Sequence, residues 1–143
     1  KQAITDLKQQ GVEAGVFGDI DLQAHRDWIE RVCREMDIKA FFPLWDDKRE
    51  DLLEEFISLG FKSRIVVTDE AMLGKEWLGC EIDLDFMKKI KALPHVDACG
   101  EKGEYHTFVY DGPIFKSPVI VHESEQLSIE KHWVSKLELG SLG

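Results

Sequence analysis

Cysteine is scarce and scattered. Cys33, Cys80 and Cys99 are odd in number, widely separated and without a C-x-x-C spacing, so the sequence supports neither a disulfide framework nor a structural zinc site. A reducing cytoplasm is the expected compartment. Basic residues are outnumbered, 18 Lys and Arg against 28 Asp and Glu, giving a formal net charge of −10. That deficit argues against unaided binding to nucleic acid or an anionic membrane, since both draw on clustered cations. No apolar run approaches the roughly 20 residues of a membrane-spanning helix, and no signal peptide is visible. His95, His122 and His132 lack ligand-like spacing, so no metal site is expected from them. Internal repeats and low-complexity tracts are absent. There is also no initiating Met: the chain opens at Lys1 within a helical pattern, which leads us to expect a preceding segment in the natural protein.

What is present is an apolar content of 43% over 143 residues, enough for a real core. Gln2 to Gln10 has helical spacing and stops at Gly11, where glycine suits a left-handed C-terminal residue. A short strand is expected at Ala14 to Phe17. A helix follows over Gln23 to Met36, with Trp28, Ile29, Val32, Cys33 and Met36 on one stripe. Ile38 to Leu44 reads as a strand ending at Pro43-Leu44-Trp45. Asp47 and Glu50 resemble a capping pair for a helix with core residues Leu52, Leu53, Phe56 and Ile57, closed by Gly60. Phe61 to Thr68 reads as the next strand. Alternating helices and short, wholly apolar strands predict an α/β fold, a parallel sheet with helices on both faces. After residue 70 the rhythm changes. A helix beginning at Asp83 or Asp85 and stopped by Pro94 is expected, then a strand from His106. Asp111-Gly112 offers turn chemistry between Thr107 to Tyr110 and a strand at Val119 to His122. Leu127 to Leu139 reads as helix or strand, and Ser141-Leu142-Gly143 as a frayed tail.

The densest chemistry lies at Gly100-Glu101-Lys102-Gly103-Glu104-Tyr105-His106-Thr107, where two carboxylates, an imidazole and a hydroxyl gather around two glycines. Gly100 and Gly103 permit positive φ and close approach of a ligand. In an extended segment Glu104 and His106 would share one face, with Thr107 and Val109 on the other. Ligands of open parallel sheets bind beyond the carboxyl ends of the strands, which directs attention to Gly18-Asp19, Asp46-Asp47 and Asp69. Loops and helix caps favour Asp on their own account. Arg26, at a helix start, has two readings: an anion contact, or a salt bridge to Asp27 or Glu30. Trp28 and Trp45 read as packing residues.

The 100–107 run resembles the C-terminal signature of the diphthine-ammonia ligase family, a branch of the N-type ATP pyrophosphatases (PP-loop, adenine nucleotide alpha hydrolase-like proteins). The similarity continues in order through Gly18-Asp19-Ile20, His25 to Cys33, Pro43-Leu44-Trp45, Leu52 to Ile57 with Gly60-Phe61, and Trp77-Leu78-Gly79 with Ile82-Asp83. The family's Ser-Gly-Gly-Lys-Asp-Ser type pyrophosphate loop is not in the sequence. The resemblance implies a Rossmann-like nucleotide-binding layer over residues 1–70, lacking its first strand and loop, and a smaller α+β substrate-binding part over 71–143. It implies an ATP-dependent, amide-forming ligase: adenylation of a carboxylate, then attack by ammonia, with diphthine on translation elongation factor 2 as acyl substrate. ATP and Mg2+ follow as implied cofactors. Gly18, Asp19 and Arg26 fall on the nucleotide side. Glu101, Glu104 and His106 fall at the chemistry, around one expected pocket near Asp19, and Gly79, Asp83, Gly100, Gly103 and Thr107 on the substrate side. A relative acting on a small carboxylate and a non-catalytic binding module stay open, as does a homodimer.

Overall fold

The structure, a computed structural model, describes residues 2–140. The expected frayed tail, 141–143, lies outside the described residues. The chain divides into two compact units, residues 1–48 and 49–143.

In the first unit the order is α1 (Gln2–Gln9), β1 (Ala14–Val16), α2 (Gln23–Glu35) and β2 (Lys39–Phe41). Gly11 takes φ +90° and donates to the carbonyl of Lys8, closing α1 as a glycine stop should. Lys8 Nζ donates to the carbonyl oxygens of Met36 and Asp37 at 2.8 and 3.0 Å, a cation on the exposed carbonyls after α2. Strands β1 and β2 pair in parallel, Gly15 opposite Ala40. Ile29 and Cys33 are buried on α2, while Trp28 stands mostly exposed at the margin of the expected stripe. β2 is shorter than Ile38 to Leu44, because the chain turns where Trp45 N–H donates to the Phe42 carbonyl, with Pro43 inside the turn.

The second unit runs α3 (Arg49–Ser58), β3 (Lys62–Asp69), a single 3-10 turn (Lys75–Trp77), α4 (Leu84–Lys91), β4 (Tyr105–Asp111), β5 (Val121–Ile129) and β6 (His132–Leu139). Its sheet has the order β4-β3-β6-β5, each neighbour antiparallel. This corrects two expectations. β3 is not a third parallel strand beside β1 and β2 but an interior strand of an antiparallel sheet, so α3 and β3 lie in the second unit and Asp69 does not share a sheet edge with Asp19 and Asp46. β4 and β5 are opposite edges of the sheet, not partners across Asp111-Gly112. The physical reason is common to both: an apolar strand records that it is buried, not which neighbour supplies its hydrogen bonds. The described residues thus form an α/β arrangement with a small parallel sheet and a separate antiparallel one, not one parallel sheet covered on both faces.

One core cluster joins Leu53 of α3, Ile65 of β3, Leu73, Leu78, Ile82, Phe86 and Ile90 of α4, Val96 and Tyr105 of β4. Ile65 and Ile90 are fully buried. The Asp83 carboxylate accepts the N–H of Phe86 at 2.8 Å and caps α4, which ends before Pro94 as expected.

Candidate functional site

The chain enters β4 through a loop, residues 97–104, that hydrogen bonds hold from several directions. Gly100 N–H donates to Asp97 O, and Gly103 N–H to Gly100 O, with φ of +69° and +86° at the two glycines. A side chain at Gly100 would stand 2.9 Å from Tyr105 O, so the backbones approach there more closely than any Cβ allows. The Tyr105 hydroxyl donates to Ala98 O at 2.6 Å, and Cys99 N–H donates to Asp97 Oδ1 at 2.8 Å. Asp97 Oδ2 pairs with the Arg49 guanidinium at the start of α3, and Cys99 Sγ donates to Arg49 O at 3.0 Å.

This loop and the first residues of β4 wall an open cavity of about 480 Å3. Gly100, Glu101, Gly103, His106 and Thr107 line it, with Cys99 and Tyr105. The expected trio of Glu101, Glu104 and His106 is represented there by Glu101 and His106 only. Its lining includes one carboxylate and one imidazole but no lysine or arginine. His106 and Thr107 are exposed. Burial pushes the Cys99 thiol up to about 11 and the Tyr105 phenol well above its ordinary value, so both are neutral lining groups near pH 7.

Glu104 is placed differently from the expectation. It is 1% exposed, precedes β4, and is not among the residues that line the cavity, whereas His106 is exposed and lines it. Its Oε1 accepts the N–H of Asp97 at 2.8 Å and its Oε2 the N–H of Lys102 at 3.0 Å. Gly79 and Asp83 also lie outside this cavity's lining. Gly79, at φ +77°, donates to Ile65 O in a turn, and Asp83 is the α4 cap. The carboxylate of Asp69 accepts Ala71 N–H at 2.8 Å, a local turn bond.

In the first unit Asp19 faces His25, with Oδ1 3.4 Å from Nδ1. Arg26 donates from Nε to Glu30 Oε1 at 2.8 Å, and its guanidinium carbon lies 4.5 Å from the Trp45 ring centroid and 5.0 Å from that of Phe42. The salt-bridge reading of Arg26 is therefore the one the structure displays, strengthened by two aromatic faces. At Gly18 an added Cβ would meet nothing within 4 Å, so the position is open.

Sequence reasoning missed the Arg49–Asp97 pair, the lining roles of Cys99 and Tyr105, and the inward turn of Glu104. The available signal was the spacing Asp97-Ala98-Cys99, which suits a side-chain-capped turn.

Comparison with known proteins agrees with these two units. The diphthamide synthase C-terminal domain matches residues 48–140, and the diphthamide synthase N-terminal domain matches residues 1–40. The chain belongs to the diphthamide synthase family. A diphthine–ammonia ligase of Homo sapiens is 33% identical over 123 residues, 82% of this chain and 45% of the relative. That of Mus musculus is 30% identical over 124 residues, with the same two coverages. The Saccharomyces cerevisiae protein of the same name is 26% identical over 133 residues, 81% of this chain and 19% of the relative. The chain thus spans less than half the length of these relatives.

Proposed function

We propose that this chain is part of an ATP-dependent amide-forming ligase, in which a carboxylate is adenylated and ammonia then displaces AMP. The observation that carries the reading is the small cavity at the start of β4, lined by Glu101, His106 and Thr107, within the stretch that matches the family's C-terminal domain. The named relatives support the choice of reaction.

The chemistry follows from the lining. A nitrogen nucleophile arrives largely as ammonium and attacks only after losing a proton, so a group able to accept it must stand near the acyl carbon. His106 is that group in our reading, since it lines the cavity and is exposed. Glu101 adds a carboxylate that favours a cation, either ammonium or the quaternary ammonium of diphthine. Thr107 offers a hydroxyl, and Gly100 and Gly103 let a substrate lie against the main chain. The proposed acyl substrate is diphthine on translation elongation factor 2, in the cytoplasm.

Gly18, Asp19 and Arg26 remain the nucleotide-side candidates. Arg26 is engaged by Glu30 and two rings. Mg2+ belongs to the proposal as the counter-ion of ATP. The described residues contain no group of three or more His, Cys, Asp or Glu placed to hold it.

The test is amide synthesis by the purified full-length ligase of which this chain is proposed to be part, with ATP, ammonium and diphthine-bearing elongation factor, followed by mass spectrometry and pyrophosphate release. His106→Ala should lower turnover by ~10²-fold or more. Absence of ammonia-dependent pyrophosphate release with the wild-type protein would overturn the reading.

A further inference from the structure

We infer that Glu104 is a positioning residue, whose buried carboxylate holds the 97–103 loop in the shape that presents Glu101 and His106 to one cavity. The inference rests on the proposed ligase reading only where it concerns turnover. Its structural part stands on the two N–H contacts.

A proton acceptor must reach the proton that it takes, directly or through one water. Glu104 is 1% exposed, is absent from the cavity lining, and has each oxygen within hydrogen-bond distance of a main-chain N–H. Burying a carboxylate is unfavourable unless such charge-assisted bonds offset the lost hydration. Here the two donors, Asp97 and Lys102, are the two ends of the loop. The carboxylate therefore clips together residues five apart whose own backbone bonds are only local turns. A second clip acts on the same loop from α3: Arg49 pairs with Asp97, and Asp97 also accepts from Cys99. Asp97 belongs to both, giving its N–H to Glu104 and its carboxylate to Arg49 and Cys99. Glu101 and Gly100 sit inside the clipped segment, and His106 follows Glu104 by two residues. The glycines supply the fold of the loop, and Glu104 removes its freedom.

Glu104→Gln is the discriminating variant because it keeps shape but offers one acceptor and one NH2 where two donors point. Amide hydrogen exchange on the whole chain should quicken by about tenfold or more at Asp97 or Lys102, the scale of one lost hydrogen bond. Asp97→Asn, which weakens the other clip, should quicken exchange at Cys99 and Lys102, and the double variant should be less than additive. In the ligase assay Glu104→Gln should lower turnover and raise apparent KM while the acid limb of the pH–rate profile keeps its midpoint. Unchanged exchange at both amides overturns the positioning role. Loss of the acid limb with amide protection intact also overturns it, and restores Glu104 as the proton acceptor. If no protein form makes amide, the ligase reading fails, yet the exchange data still decide whether Glu104 holds the loop. Should Glu104→Gln not fold, exchange in the unsubstituted protein decides: protected amides at Asp97 and Lys102 support the clip, and unprotected exchange at both overturns it.

Discussion

The hydroxyl of Tyr105 donates to the carbonyl oxygen of Ala98 at 2.6 Å, so the first residue of β4 pins the loop seven residues before it in the chain. Tyr105 is also a core residue, edge-on to Phe86 with ring centroids 5.7 Å apart. Tyr105→Phe keeps the ring and deletes the pin. We expect a loss of ~1–3 kcal/mol in urea denaturation, since the Ala98 carbonyl is left without its donor. A change within experimental error would mean that water replaces the phenol at no cost.

The two glycines of the loop should differ in their tolerance. Gly100 and Gly103 both have positive φ, which costs a non-glycine residue roughly 1–2 kcal/mol. Only at Gly100 would the new Cβ also meet Tyr105 O, at 2.9 Å, whereas at Gly103 it would meet nothing within 4 Å. Gly100→Ala should therefore be more destabilising than Gly103→Ala by ~1–3 kcal/mol, the usual scale of overpacking. Paired denaturation curves measure the difference, and equal losses would show that the close approach relaxes freely.

Asp83 provides a test that separates a cap from a substrate contact. Its carboxylate accepts the Phe86 N–H, so Asp83→Ala should cost ~0.5–2 kcal/mol of stability and Asp83→Asn much less. If Asp83→Asn keeps stability yet raises apparent KM in the ligase assay, the residue also touches substrate.

Alkaline pH should destabilise the second unit. The Cys99 thiol has an ordinary value of 9.0 and is pushed up to about 11 by burial, with Glu101 adding to the rise. Between about pH 9 and 11 the unfolded chain loses this proton while the folded chain keeps it. The unfolded state then binds fewer protons, and stability falls as pH rises. Tyr105, raised from 10.0 chiefly by burial, extends the fall to higher pH. Melting temperature followed from pH 8 to 11 should decline, and Cys99→Ala should flatten the first part of the decline. Alkylation of Cys99 at pH 8 should be slower than for a free thiol, because little thiolate is present.

Much of the helical structure was legible because side-chain spacing records it directly. Ile29 and Cys33 lie on the buried stripe of α2, Gly11 and Gly60 end their helices at positive φ, and Asp83 caps α4. Strand partnership was not legible. The buried residues of β3, Ser63, Ile65 and Thr68, fix an inward face but are silent on whether β1 or β4 and β6 lie alongside. The β5–β6 hairpin was hidden for a different reason. Its turn is made by Glu130 and Lys131, at φ +48° and +73°, residues without the Asn-Gly or Asp-Gly chemistry that announces such a turn. At the candidate site, the closeness of Glu101 and His106 follows from their proximity in sequence, whereas Thr107, expected on the opposite face from His106, lines the same cavity. The inward carboxylate of Glu104 could not be read from the sequence, because only the folded loop brings the amides of Asp97 and Lys102 to it.

The sheet order has a consequence for how the second unit is built during synthesis. β6, the last of its strands to leave the ribosome, fills an interior position between β3 and β5. Until His132 to Val134 are available to pair with Val67 to Asp69, the outer edge of β3 there has no neighbour. A nascent chain therefore carries an incomplete sheet with an open strand edge, the feature that invites mispairing and engagement by chaperones. Sheet completion must await the β5–β6 hairpin, and slow translation before residue 132 would prolong the exposed state.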